Sequence, residues 1–265
     1  MKIKFLALAA AMMISTTSFA QFSQSKSSSS SSNEISKGWN SLYVQYNSIG
    51  TSYSLSSFNN KYEDYGDEYQ KVIDNSGLSD KLNAFTIGYN RAINVAPSIP
   101  LYVEFGAALQ YAFYSDEASD EDKGSYYTDK YTVKYTGHIL TAKVPVSLLY
   151  HIAIPNSDFA FEPFAGVDFK YNISGSVKQK ETEEHSYRGD DPKIDEETTK
   201  INNIFDKKKC DGHPANRFQA GWHVGANFVY KKAFIGISYG QDFSKFHDDI
   251  DLKFNTLSAT LGCRF

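Results

Sequence analysis

Six histidines, at positions 138, 151, 185, 213, 223 and 247, offer the most versatile chemistry in this chain. A neutral imidazole binds metals and serves as a base near neutral pH. None of the six stands in a ligating spacing such as H-x-x-x-H, so no metal and no cofactor is expected. Nucleophilic catalysis needs a hydroxyl or thiol beside a base. The nearest approach is His138 with Thr136, two residues away on the same face of an alternating segment. Threonine substitutes poorly for a nucleophilic serine, and no third group stands nearby, so the chain does not read as an enzyme.

Seven charged residues are a second candidate set: Glu104, Lys143, Glu162, Asp168, Lys170, Asp242 and Arg264. Each falls on the polar face of a segment whose other face is apolar. They suit either a selectivity lining along an aqueous channel or a set of mutually compensating ion pairs. Width decides between these. An interior only wide enough for side chains favours the ion pairs.

The remaining carboxylates lie in the connections. Asp116, Glu117, Asp120, Glu121, Asp122 and Asp129 stand against Lys123, Lys130 and Lys134. Glu63, Asp64, Asp67, Glu68, Asp74 and Asp80 stand against Lys61, Lys71 and Lys81, and Asp248, Asp249 and Asp251 crown a third stretch. Hard cations take carboxylate oxygens, but the spacing fits no calcium loop. A solvated, repulsive surface is the simpler reading. With a net charge of −4, it argues against nucleic acid as a partner.

These groups need elements to hold them, and the pattern is period two throughout. Leu101 to Tyr114 is the clearest case. Leu101, Val103, Phe105, Ala107, Leu109, Tyr111 and Phe113 share one face; Tyr102, Glu104, Gly106, Ala108, Gln110 and Ala112 share the other. Similar strands are expected over Trp39–Ser48, Asn83–Ile93, Tyr135–Ile152, Phe159–Ile173, Phe218–Tyr230, Ala233–Phe243 and Asn255–Phe265. Long connections, roughly 49–82, 115–134, 174–216 and 244–251, alternate with short turns. Nineteen Tyr and nineteen Phe, with 15% aromatic residues overall, suit strands.

Lys2 and Lys4 precede an apolar run from Phe5 to Ile14, and Ser18-Phe19-Ala20 is a plausible cleavage site. This is the layout of a secretory signal peptide over residues 1–20; the run falls short of the ~20 residues a spanning helix needs. Residues 21–38 include an unbroken serine run, Ser27 to Ser32. Such a stretch buries too little apolar surface to order itself and reads as a tether. One domain, 39–265, accounts for the rest.

The polar face is rich in Gly, Ala and Ser, as a crowded lumen requires. The apolar face is almost free of charge, as it must be where a lysine or arginine at mid-membrane costs ~2–4 kcal/mol. The expected fold is therefore all-β: a single eight-stranded antiparallel up-and-down transmembrane barrel, long loops outside, short turns on the periplasmic side. Outer-membrane lipid is the expected solvent of its outer face.

K-V-P-V-S-L-L-Y (Lys143–Tyr150), F-E-P-F-A-G-V (Phe161–Val167) and the final G-C-R-F resemble the small outer-membrane β-barrel, or porin-family, proteins of the Bacteroidota type. The likeness covers the strands from about Trp39 to Phe265. It implies a place in the cell outer membrane and assembly through the C-terminal Phe265 by the barrel-assembly machinery. The family name implies transport, yet the motifs specify fold and not activity. A side-chain-filled barrel acting through its acidic loops on an extracellular partner is the first expectation. A narrow pore is the second, and a lipid-modifying enzyme the third.

Two local expectations follow. Setting Ile152 opposite Phe159 pairs Val144 with Val167 and Lys143 with Asp168, placing a lumen ion pair there. Around Lys231-Lys232, Phe228 falls opposite Ile235 and Asn227 opposite Gly236. Cys210 and Cys263 should lie at opposite ends of the barrel, beyond the ~7 Å a disulfide allows.

Overall fold

A computed structural model describes residues 37–52, 81–187, 191–210, 212–247 and 252–265. The expected signal peptide, nearly all of the expected serine-rich tether, most of the first connection and Asp248, Asp249 and Asp251 lie outside these residues.

The strands are β1 (Gly38–Ser52), β2 (Lys81–Asn94), β3 (Leu101–Lys123), β4 (Tyr127–Tyr150), β5 (Ile152–Ala153), β6 (Phe159–Tyr187), β7 (Lys193–Ile201), β8 (Phe218–Tyr230), β9 (Ala233–Asp242) and β10 (Lys253–Arg264). Eight of them close a ring in the order β1-β2-β3-β4-β6-β8-β9-β10. β10 pairs antiparallel with β1, Leu261 opposite Val44, so the ring has no free edge. The two-residue β5 pairs β6 inside a turn, and β7 pairs only the distal half of β6.

The facing is apolar outside and polar inside. Phe85 (60%), Ile237 (67%) and Leu257 (61%) stand exposed on the outer wall, while Glu162 (0%) and Gln219 (2%) are sealed within. On β4 the outward residues Leu140, Val144, Val146, Leu148 and Tyr150 cover ten rises of ~3.3 Å. At a strand tilt of ~40° that is an apolar band ~25 Å tall.

β3, β4 and β6 do not stop at the rim. Stretches 115–134 and 174–201, expected as loops, are largely strand: Ser115 opposes Thr136, Lys178 opposes Thr136 and Lys200, and the pairing runs out to Tyr127 opposite Tyr187. The reason lies in the residues between the charges. Thr128, Tyr131, Thr132, Val133, Tyr135 and Thr136 are strong strand formers, and each finds ladder partners on both sides. The result is a sheet, β3-β4-β6-β7, standing above the barrel. We call this the extended end and the opposite one the turn end.

Residues 202–210 and 212–217, after β7, and residues 243–247 and 252, after β9, fold over the extended mouth. Phe205, Ala215 and Phe246 are buried there against Ile139, Ile204, Leu252 and Phe254. Gly175 on β6 makes this close approach possible, since a Cβ there would meet Ile204 and Phe205 at 3.0 Å.

One register differs from expectation. β4 ends at Tyr150, Ile152 pairs with Phe161, and the turn closes at Ile154–Phe159 with Asn156 at φ 57°. This shorter turn moves β6 by two residues, so Val146 opposes Val167 and Lys143 opposes Lys170, not Asp168. A shift by two leaves every face unchanged. Around Lys231 (φ 54°), Phe228 opposes Ile235 and Asn227 opposes Gly236, as expected.

Candidate functional site

The barrel interior holds two polar clusters. Near the turn end, the fully buried Glu162 of β6 takes a bidentate fork from Arg264 of β10, Nη1 to Oε1 at 2.7 Å and Nη2 to Oε2. His151 Nδ1 reaches the same carboxylate at 2.5 Å. The Arg264 guanidinium lies over the Trp39 ring at 4.2 Å, and Trp39 packs on Tyr102 at 4.4 Å. The charge is thus doubly hydrogen-bonded and roofed by aromatic rings, the condition under which a buried ion pair is tolerated.

The mid-barrel cluster spreads over β4, β6, β8 and β9. Lys170 Nζ donates to Asp242 Oδ1 at 2.6 Å, and Gln219 Nε2 donates to Asp242 Oδ2 at 3.2 Å. Lys143 Nζ stands 3.8 Å from Asp168 Oδ2. His223 Nδ1 approaches that same oxygen at 3.1 Å, and its Nε2 lies 2.8 Å from Ser147 Oγ. Ser147, Gly166 and His223 form one row across three strands. The missing side chain at Gly166 lets the imidazole cross β6 to the serine.

Six of the seven charges named from sequence are therefore in ion pairs. Glu104 is not: it accepts from Asn90 Nδ2 at 2.9 Å and makes no ion pair among the described residues. Ser147, His151 and His223 were missed as members. Their positions on polar faces were legible, but their partners sit on strands far away in sequence.

Ser147, His223 and Asp168 hold the residue types of a nucleophile, base and orienting acid. The Nδ1 of His223 lacks hydrogen-bond alignment to the carboxylate. Ser147 lies between β3 and β6, opposite Glu104 and Gly166, so its backbone groups serve the ladder and offer no oxyanion hole. The space they share, lined by Tyr43, Glu104, Lys143, Asp168 and His223 among others, is about 90 Å³.

At the outer rim, His138 does not meet Thr136. Its Nδ1 lies 3.1 Å from Ser176 Oγ, and its ring stacks on Tyr111 at 5.8 Å. No carboxylate orients it among the described residues. His185 pairs with Asp129 in the extended sheet, and His247 reaches the His213 carbonyl in the cap. Among the described residues no group of three or more potential ligands is placed to hold a metal. Neither Cys210 nor Cys263 is joined in a disulfide.

No family model and no curated protein matches the chain. Solved structures of small barrels do. Ail, the attachment invasion locus protein of Yersinia pestis, crystallised with the heparin analogue sucrose octasulfate, aligns over 87% of this chain and 100% of its own at 13% identity and a TM-score of 0.31. The outer membrane enzyme PagL aligns over 83% and 98% at 9% identity and a TM-score of 0.41. The COG4313 outer membrane channel from Pseudomonas putida F1 aligns over 90% and 100% at 10% identity and a TM-score of 0.29. An attachment protein, an enzyme and a channel stand side by side at this distance, so the likeness assigns no role.

Proposed function

We propose that this protein is an outer-membrane barrel with a closed lumen that acts through its extended sheet and not as a conduit. The carrying observation is the pairing of the lumen charges. Glu162 with Arg264, Lys170 with Asp242 and Lys143 with Asp168 bridge the interior, and what remains between them is about 90 Å³. Support for the membrane comes from the facing: an exposed apolar wall ~25 Å tall is stable only against hydrocarbon. The cap of Phe205 and Phe246 closes the extended mouth a second time.

In this reading the lumen is structural, and the surface for an extracellular partner is the β3-β4-β6-β7 sheet. Its face on the cap side carries Asp116, Asp120, Glu181, Glu183, Asp195 and Glu197, an acidic surface that disfavours nucleic acid. Planar-bilayer recording of the folded full-length protein tests the central claim. The expected trace is a flat baseline at moderate voltage. Reproducible unitary steps, lost when Asp242 is changed to tryptophan, would replace this reading with the narrow pore.

A further inference from the structure

We infer that the outward face of the extended sheet, centred on Lys178 and Lys200, docks on the phosphate-bearing lipid headgroups of the leaflet at the extended end. This rests on the membrane reading above and names what the sheet touches there.

The two faces of the sheet differ in charge. Gly175 and Val177 of β6 turn toward the cap, where Gly175 meets Ile204 and Phe205. The β4–β6 register shifts at Leu140/Thr141, inverting the alternation of β6 past Ile173, so Ser176, Lys178 and Lys180 lie on the opposite face, continuous with the outer wall. The pairings put Lys134 and Lys180 opposite one another, and Lys178 opposite Lys200. Four lysines thus occupy the first two outward rows beyond the rim, against one carboxylate, Glu117, while Asp116, Glu181 and Glu197 stand in the alternate rows that face the cap.

Two of the four lysines have local partners. Lys134 reaches Glu117 at 3.1 Å and Lys180 reaches Glu196 at 2.7 Å. Lys178 and Lys200 are exposed, directly opposed, and neither makes an ion pair among the described residues. Like charges directly across a ladder repel. An anion outside the protein offsets that repulsion, and the geometry says where it must be. Lys178 lies five residues beyond Ile173, the last outward apolar residue of β6, which is ~16 Å of strand and ~12 Å of height at a ~40° tilt. That is a few ångströms above the headgroup layer, which reaches about 5–8 Å beyond the hydrocarbon edge. Lysine stems reach along the apolar wall and put the ammonium among headgroup phosphates.

The test uses the full-length protein reconstituted in phosphatidylcholine vesicles, with spin-labelled phosphatidylglycerol and phosphatidylcholine as probes. The wild type is expected to favour the anionic label severalfold, and Lys178→Gln/Lys200→Gln to lose most of that preference, on the order of tenfold in affinity at the site. Lys178→Arg/Lys200→Arg, which keeps the charge, should retain it, as should Lys123→Gln/Lys130→Gln at the sheet tip. Heat-modifiable mobility confirms that each variant is folded. A wild type without preference, or a double glutamine variant that keeps it, overturns the proposal. Inorganic phosphate that abolishes the preference where chloride of equal ionic strength does not would show a free-phosphate site in place of a lipid surface. Absence of any motionally restricted lipid would sink the membrane reading itself, a result distinct from restriction without preference.

Discussion

Lys143 and Lys170 face each other across the β4–β6 ladder inside the barrel. Two like charges in that position repel, and the lumen separates them by giving each its own carboxylate. Lys170 turns to Asp242 at 2.6 Å, while Lys143 leans to Asp168 at 3.8 Å. Asp168 is shared with His223, whereas Asp242 is held by Lys170 and Gln219.

The two pairs should therefore respond differently to mutation. Asp242→Leu leaves Lys170 buried beside Lys143 without a counter-charge and is expected to cost about 3–5 kcal/mol. Lys143→Met should cost less, because Asp168 retains His223. Lys170→Met with Asp242→Leu should recover most of the loss. Urea unfolding in lipid vesicles checks the order; a double variant no better than Asp242→Leu would show that the pair does more than neutralise itself.

The staves and their facing were legible because alternation reports burial directly. Leu257, Ser258 and Ala259 needed no partner to be assigned to sides. Register was less legible. The turn after β4 could be closed at Phe159 or at Phe161 without changing any face, and only the local geometry at Asn156 chooses. The extension of β4 was hidden by its charge: Asp129, Lys130 and Lys134 read as loop, while the intervening Tyr and Thr residues make the strand. The cap was not legible at all, since Phe205 and Phe246 lie in segments with no period, and only the closed barrel brings them together.

Gly166 gives a steric test of the mid-barrel row. A Cβ there would stand 2.2 Å from the Val146 carbonyl oxygen and 2.7 Å from His223 Nε2. The first neighbour is backbone, so the strand must move. Gly166→Ala should destabilise by about 1–3 kcal/mol, and adding His223→Ala should return only the smaller part. Full recovery in the double variant would place the conflict at the imidazole alone.

The tip of the extended sheet should respond to pH. The hydrogen bond that His185 Nδ1 donates to Asp129, at 2.9 Å, holds the pKa of His185 above its ordinary value of 6.5, with Glu183 adding to it and burial and Lys193 opposing. A group whose folded pKa is raised stabilises the fold fully below its unfolded pKa and ceases to do so as pH rises through the folded one. Amides of Tyr127–Tyr131, corrected for intrinsic exchange, should be better protected below pH ~6 than above pH ~8. Asp129→Asn should flatten the difference; an undiminished difference would assign it to another group.

The two cysteines test the orientation. Cys210 lies in the cap, with Sγ directed at the Asn203 and Ile204 carbonyls at 3.7 and 3.4 Å. Cys263 lies on β10 opposite Leu42 and Ala233, two residues from Phe265 and at the turn end. The apolar band of ~25 Å between the ends exceeds the reach of a disulfide several times over. Non-reducing and reducing gels should show the same monomer mobility. A membrane-impermeant maleimide applied to intact cells should label Cys210, and should reach Cys263 only after the cells are opened, since the turn end faces the periplasm in this arrangement. The Cys210→Ser variant then separates the two sites cleanly: it should take no label from outside. Labelling of Cys263 on intact cells would invert the barrel and, with it, the leaflet against which Lys178 and Lys200 are placed.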